Sequence, residues 1–128
     1  MKQVAVAIII KDQKVLLSRR APGEKLAGMW EFPGGKVEQN ESLQECVVRE
    51  LEEELSINVK ADKIFTRSKY SYDHGEFDIV AINTTIIGGQ IILSVHDKVN
   101  LVSFNDLLSY DLLPADIPIA EYIVKYLS

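Results

Sequence analysis

The chain has 128 residues, 47% hydrophobic and 26% charged, the balance of one soluble globular domain large enough to bury a core. A net charge of −5 and a pI near 5.0 exclude a broad duplex-binding surface and leave room only for a local basic pocket. The single cysteine, Cys46, excludes an internal disulfide, so a cytoplasmic protein is expected.

From the N-terminus, VAVAIII (4–10) and KVLLSR (14–19) predict two strands joined through KDQ. The first run is too short to span a membrane and lacks the small-residue cleavage site of a signal peptide; its β-branched residues suit a buried strand. Residues 21–35, APGEKLAGMWEFPGG, hold two prolines and four glycines and predict a loop carrying Trp30 and Phe32. SLQE, Ser42 to Glu45, is a capping box that opens a helix: the serine hydroxyl accepts an early helix N–H and the glutamate reaches back. Val48, Leu51 and Leu55 then follow at helical spacing as one apolar face. Residues 57–70 and 76–87 predict strands joined at YDHGE, and the double glycine at 88–89 predicts a turn. QIILSV (90–95) and NLVSF (100–104) predict two more strands, Asp106 to Tyr110 a helical turn, and Ala115 to Leu127 a closing helix. With no repeat, low-complexity tract or linker, one domain over 1–128 is expected, an α/β or α+β sandwich with a mixed sheet.

The predicted helix ends on RELEEEL (49–55), where the partial negative charge of a helix C-terminus disfavours acidic side chains. Glu50, Glu53 and Glu54 share one face at about 100° per residue. Like charges four apart repel by a few tenths of a kcal/mol, and each carboxylate costs roughly 0.3–1 kcal/mol against the dipole. Arg49 can reach Glu45 and Glu53, four residues to either side, but cannot neutralise the cluster. Two readings follow: a solvated acidic face, or a site for Mg²⁺ or Mn²⁺, hard ions that favour carboxylate oxygens. Zinc is disfavoured because neither His74 nor His96 has a cysteine or histidine at ligand spacing.

The neighbours of the cluster decide between them. Gly35, five residues, Glu41, seven residues and RELEEELSI closely resemble the Nudix box, G-x5-E-x7-R-E-U-x-E-E-x-G-U with U aliphatic. Gly35, Glu41, Arg49, Glu50, Leu51, Glu53, Glu54 and Ile57 match; Ser56 stands where the family has glycine. WEFPGGKVE and VVREL are similar to the MutT branch, and LLPADIP (112–118) to the base-recognition segment of its CTP pyrophosphohydrolase subgroup.

The resemblance implies a Nudix α/β/α sandwich with a mixed β-sheet, the box forming loop–helix–loop. It implies Mg²⁺, or Mn²⁺, held by the Gly34 carbonyl, Glu50, Glu53 and Glu54, which would make the acidic helix end tolerable. Arg49 would orient the glutamates, and Glu41 and Gly35 would shape the loop–helix–loop. Glu50 and Glu53 are the candidate bases, and Asp97 in SVHDKVN is the best match to a further carboxylate supplied between late strands. Arg20 would meet substrate phosphates; Phe32, Tyr72 and Asp116 would meet the nucleoside. The implied reaction is NTP + H₂O → NMP + pyrophosphate, with attack at the β-phosphorus expected from the MutT branch, on cytidine or modified pyrimidine nucleotides. An 8-oxo-dGTP diphosphatase, hydrolysis of another nucleoside diphosphate derivative such as ADP-ribose, and a non-catalytic nucleotide sensor are the alternatives. No nucleic acid polymer, membrane or obligate protein partner is expected. Simpler roles stand beside these: Arg20 as a strand-end surface charge, Tyr70 and Tyr72 as cover for the sheet, Asp116 as a cap of the closing helix. Cys46 reads as a small core residue, His74 and His96 as solvated turn residues, Trp30 as loop packing, and Arg19 and Lys36 as surface charges, Lys36 being also placed to meet a phosphate.

Overall fold

A computed structural model describes residues 2–73 and 75–127; the expectation for His74 lies outside them. Its strands are β1 (Lys2–Ile8), β2 (Ile10–Lys11), β3 (Lys14–Arg20), β4 (Trp30–Glu31), β5 (Gly34–Lys36), β6 (Ile57–Tyr72), β7 (Gly75–Gly89) and β8 (His96–Ser103). Helix α1 is Leu43–Leu55 and α2 is Ile117–Leu127, with 3-10 segments at Phe104–Ser109 and Pro114–Asp116.

The run 4–10 is not one strand. It breaks at Ile9, and its two pieces join different sheets. β1 lies parallel to β7 (Val4 opposite Ile79, Val6 opposite Ala81) and antiparallel to β5, in a mixed sheet ordered β5-β1-β7-β6. β2 turns through Asp12 and Gln13, both at positive φ as a two-residue hairpin loop requires, and pairs with β3. β3 also carries β4 and β8, all antiparallel, so the expected mixed sheet is accompanied by a second sheet.

Strand β1 explains the unbroken apolar run, because both of its faces are covered. Val6 and Ile8 join Val15, Leu17, Phe32, Ile79, Ile119 and Ile123 in the core beneath α2. Ala5 and Ala7 join Leu16, Cys46, Val47, Leu51, Leu55, Val80 and Ile82 in the core beneath α1. The helices therefore cover opposite faces, the expected α/β/α layering. The buried face of α1 is Cys46, Val47, Leu51 and Leu55; Val48 is exposed, because the stripe that meets the sheet lies one residue earlier. Full burial of each leucine contributes about 1.5–3 kcal/mol.

Two further expectations are corrected. β7 runs through the double glycine to Gly89, and 90–95 is not a strand. That segment crosses the end of α1 instead, where the Ile92 and Ser94 N–H groups donate to the carbonyls of Leu55 and Glu54 at 3.0 and 3.2 Å. It satisfies two of the acceptors that a helix end leaves open, a use of QIILSV that alternation and β-propensity do not reveal. No helix among the described residues is long and apolar enough to cross a bilayer.

Candidate active site

The capping box fixes where α1 begins: the Glu45 N–H donates to Ser42 Oγ at 3.0 Å and the Ser42 N–H to Glu45 Oε1 at 2.8 Å. The acidic face then falls against β5. Gly35 is required there, since a Cβ would lie 2.5 Å from the Glu50 carboxyl carbon, and a Cβ on Gly34 would strike the Ala5 carbonyl of β1.

Arg49 organises the face. Its Nε and Nη2 donate to the Glu41 carboxylate at 2.7 and 3.0 Å, Nη1 to Glu50 at 2.8 Å and Glu53 at 3.4 Å, and Nη2 to the Lys36 carbonyl at 3.2 Å. Glu41 also accepts the Glu38 N–H, and the Arg49 guanidinium holds its carboxyl down to about 2. The expected Arg49–Glu45 contact is absent among the described residues, because Glu45 is spent on the cap.

Glu54 is different. Burial pushes its carboxyl up to about 8, with repulsion from Glu31 and Glu50 adding to the effect; the Gly34 backbone bond and the Arg20 charge oppose it only partly. Its Oε1 is buried with no hydrogen-bond partner among the described residues. Burial likewise raises Glu50. As they stand, no three carboxylate, histidine or cysteine groups among the described residues converge tightly enough to grip an ion, since Glu50 and Glu53 turn toward Arg49. The donor set nevertheless fits a hard divalent cation: three carboxylates on one helical face, one with an orphaned buried oxygen, beside the close-packed Gly34–Gly35 backbone.

A cleft of about 850 Å³ is lined by residues including Lys2, Arg20, Lys25, Lys36, Tyr72 and Phe77. Its four cations face one carboxylate, Glu76, a local basic pocket on an acidic chain. Tyr70, Tyr72 and Phe77 form an edge-to-face series with centroids 4.5 and 5.0 Å apart, and the Lys36 ammonium lies over Phe77. Arg20 is more than a surface charge: its Nη1 binds the Glu31 carboxylate at 3.0 and 3.2 Å.

Asp116 is buried, and its carboxylate accepts the Phe32 N–H at 3.1 Å. Placed in the 3-10 turn before α2, it binds the backbone of the link between β4 and β5 rather than capping the helix. Burial pushes it up to about 8, with Glu31 contributing; burial also raises the Tyr72 hydroxyl, with Tyr70 and then Asp116 adding to the effect. The Phe32 side chain, expected against the nucleoside, is 1% exposed and belongs to the core under α2; only its backbone N–H faces Asp116. Trp30 packs as expected, edge-on to Tyr110. Cys46 is buried, and burial pushes its thiol up to about 12, far from nucleophilic use.

Both oxygens of Asp97 accept from Arg19, at 2.8 and 3.0 Å, at the bulge between Arg19 and Arg20 where Asp97 itself is left unpaired in the register. His96 is the larger departure: it is no solvated turn residue but is buried in β8, with Nε2 2.8 Å from Glu31. Sequence reasoning missed Glu31 altogether. The one local signal was its place between Trp30 and Phe32, whose rings enter the core from the opposite face.

The NUDIX domain family model matches residues 1–121. The CTP pyrophosphohydrolase of Escherichia coli is 36% identical over 121 residues, 94% of this chain and 90% of that protein. The 8-oxo-dGTP diphosphatase of Escherichia coli is 38% identical over 71 residues, 55% of each chain. The solution structure of the E. coli ORF135 protein superimposes with a TM-score of 0.85 at 34% identity, covering 98% of this chain and 89% of that one.

Proposed function

The chain belongs to the NUDIX domain family, and on that premise we propose that it is a cytoplasmic, Mg²⁺-dependent nucleoside triphosphate pyrophosphohydrolase with cytidine-type nucleotides as preferred substrates. The observation that carries this reading is the buried, unpartnered Oε1 of Glu54, within electrostatic reach of Arg20 in the wall of a cationic cleft. An uncompensated carboxylate in such a place is costly, and a hard cation that in turn meets phosphate would offset the cost. The relative named for CTP is 36% identical over 94% of the chain, against 31% over 91% for a Mycobacterium tuberculosis relative named putative 8-oxo-dGTP diphosphatase 2, and the higher identity favours the cytidine reading.

Glu50, Glu53, Glu54 and the Gly34 carbonyl would hold Mg²⁺, with Mn²⁺ as a substitute; bound there, the ion would neutralise phosphate oxygens, acidify the attacking water and stabilise the leaving group. The chain's own groups do the rest. Arg20, Lys25 and Lys36 draw the triphosphate into the cleft by charge. Arg49 fixes the rotamers of Glu50 and Glu53. The carboxylate of Glu50 or Glu53 accepts the proton of the attacking water, and burial raises Glu50 in the direction that favours this role. Water adds at the β-phosphorus, the bond from that phosphorus to the α-bridging oxygen breaks, and NMP and pyrophosphate leave. Tyr72 and Asp116 meet the nucleoside, while Asp97, paired with Arg19, braces β3 against β8.

The test is phosphate release, coupled to pyrophosphatase, from CTP, dCTP, 5-methyl-dCTP and 8-oxo-dGTP with Mg²⁺. CTP-type substrates are expected to lead in kcat/KM. Glu53→Gln is expected to fold normally and lose about 10²-fold or more in kcat. Near-normal turnover of that variant at saturating Mg²⁺ would remove Glu53 from the assignment.

A further inference from the structure

Arg20 stands in the cleft wall, but its placement is decided by residues behind it. Its Nε donates to the Lys25 carbonyl at 2.6 Å and its Nη1 to both oxygens of Glu31. Nη2 has no hydrogen-bond partner among the described residues. A guanidinium fixed through two nitrogens and open at the third is pre-organised for an anionic ligand, because little side-chain freedom remains to be lost on binding.

Glu31 is itself held from behind. Its side chain is 13% exposed, and its backbone is set by pairing with Ser18 of β3. His96 lies opposite Arg20 across the β3–β8 bulge and reaches Glu31 Oε2 through Nε2 at 2.8 Å. A carboxylate only accepts, so Nε2 carries the proton. The imidazole is fully buried, and its Nδ1 has no hydrogen-bond partner among the described residues. As packing, such a histidine is a poor choice, since an unpaired buried polar atom destabilises the fold. What it supplies is a charge-assisted donor that stops the Glu31 carboxylate from rotating away from Arg20.

We propose that His96 is a positioning residue for the substrate triphosphate, acting through Glu31 to hold the Arg20 guanidinium in the cleft wall. The inference rests on the triphosphate reading given above. Contact between Arg20 and phosphate is made alike in ground and transition states, so its loss appears in KM rather than kcat.

The experiment is steady-state kinetics with CTP at saturating Mg²⁺. His96→Leu, and His96→Asn, whose amide is too short to reach Glu31, are expected to raise KM about 5–20-fold with kcat within about twofold. His96→Gln places an N–H where Nε2 stood and is expected to restore KM to within about threefold. In an Arg20→Lys background His96→Leu is expected to add nothing, because coupled residues are not additive. An unchanged KM in His96→Leu and His96→Asn, the full rise persisting beside Arg20→Lys, or His96→Gln as impaired as His96→Leu would each overturn the proposal. Should His96→Leu fail to fold, the Asn and Gln variants decide alone. Wild-type protein inactive on every nucleoside triphosphate would overturn the parent reading, a result distinct from any variant's.

Discussion

At Glu54 chemistry and stability pull in opposite directions. Its folded-state pKa of about 8 lies above that of an exposed glutamate, so between roughly pH 4.5 and 8 the folded chain holds a proton that the unfolded chain has lost. Stability from this group is therefore full below pH 4.5 and declines as pH rises through 8. Glu54→Gln keeps the shape and removes the charge. In EDTA it is expected to melt above the wild type at pH 8.5, to lose most of that advantage by pH 5.5 and the rest below pH 4.5; Mg²⁺ should raise the wild-type Tm and move the variant far less. A Tm difference independent of pH, by differential scanning fluorimetry, would refute the assignment. Residues of this kind were legible because their geometry is local. The helical period alone puts Glu50, Glu53 and Glu54 together, and Arg49 reaches Glu41 across a single loop. Glu31 and His96 were not legible, since 65 residues separate them and only the β3–β4 and β3–β8 registers bring them together.

The helix carrying those glutamates has a start and a stop of different quality. The capping box at Ser42 and Glu45 is as the sequence predicts. At the other end Ser56 sits at φ 59° and ψ 31°, a left-handed conformation that the side chain of an L-residue disfavours by about 1–2 kcal/mol. Its N–H caps the Glu52 and Leu51 carbonyls, a bond that glycine would keep. Glycine also loses more freedom on folding, about 0.5–1 kcal/mol, so Ser56→Gly is expected to gain between nothing and about 1.5 kcal/mol, up to several degrees in Tm, with activity retained. Thermal unfolding with a Tm more than a few degrees below wild type would show that the serine contributes more than its backbone. The departure from the box at Ser56 was thus readable as a conformational cost. The role of 90–95 was not: a β-branched run fits a strand in isolation, and only the position of the α1 end turns its N–H groups into caps.

Across the whole molecule, two cores on opposite faces of the sheets set the acidic helix and the Asp116 segment apart and leave a cationic cleft lined by Arg20 and Tyr72. The layering was legible from strand and helix order. The state of Asp116 was not, because burial depends on β4 and α2 closing over it. The sequence alone suggests an ionised aspartate that only accepts, suited to the cytosine amino group and repelling O6 of 8-oxo-guanine. With its carboxyl pushed up to about 8, Asp116 is largely protonated near neutrality and offers one donor beside one acceptor. In that form it can pair with the N3 and N4 positions of cytosine, and equally with O6 and N7–H of 8-oxo-guanine. Above pH 8 it becomes acceptor-only: the contacts to cytosine N4 and to N7–H of 8-oxo-guanine survive, while those to cytosine N3 and to O6 turn repulsive. Between pH 7 and pH 9 kcat/KM for CTP is therefore expected to fall roughly tenfold or more relative to Asp116→Asn, whose amide holds one donor and one acceptor at every pH. Contributions from Glu50, Glu53 and Glu54, and ionisation of the substrate, are common to wild type and variant and cancel in that comparison. Parallel pH profiles for wild type and Asp116→Asn, measured by pyrophosphate release, would show that Asp116 does not read the base.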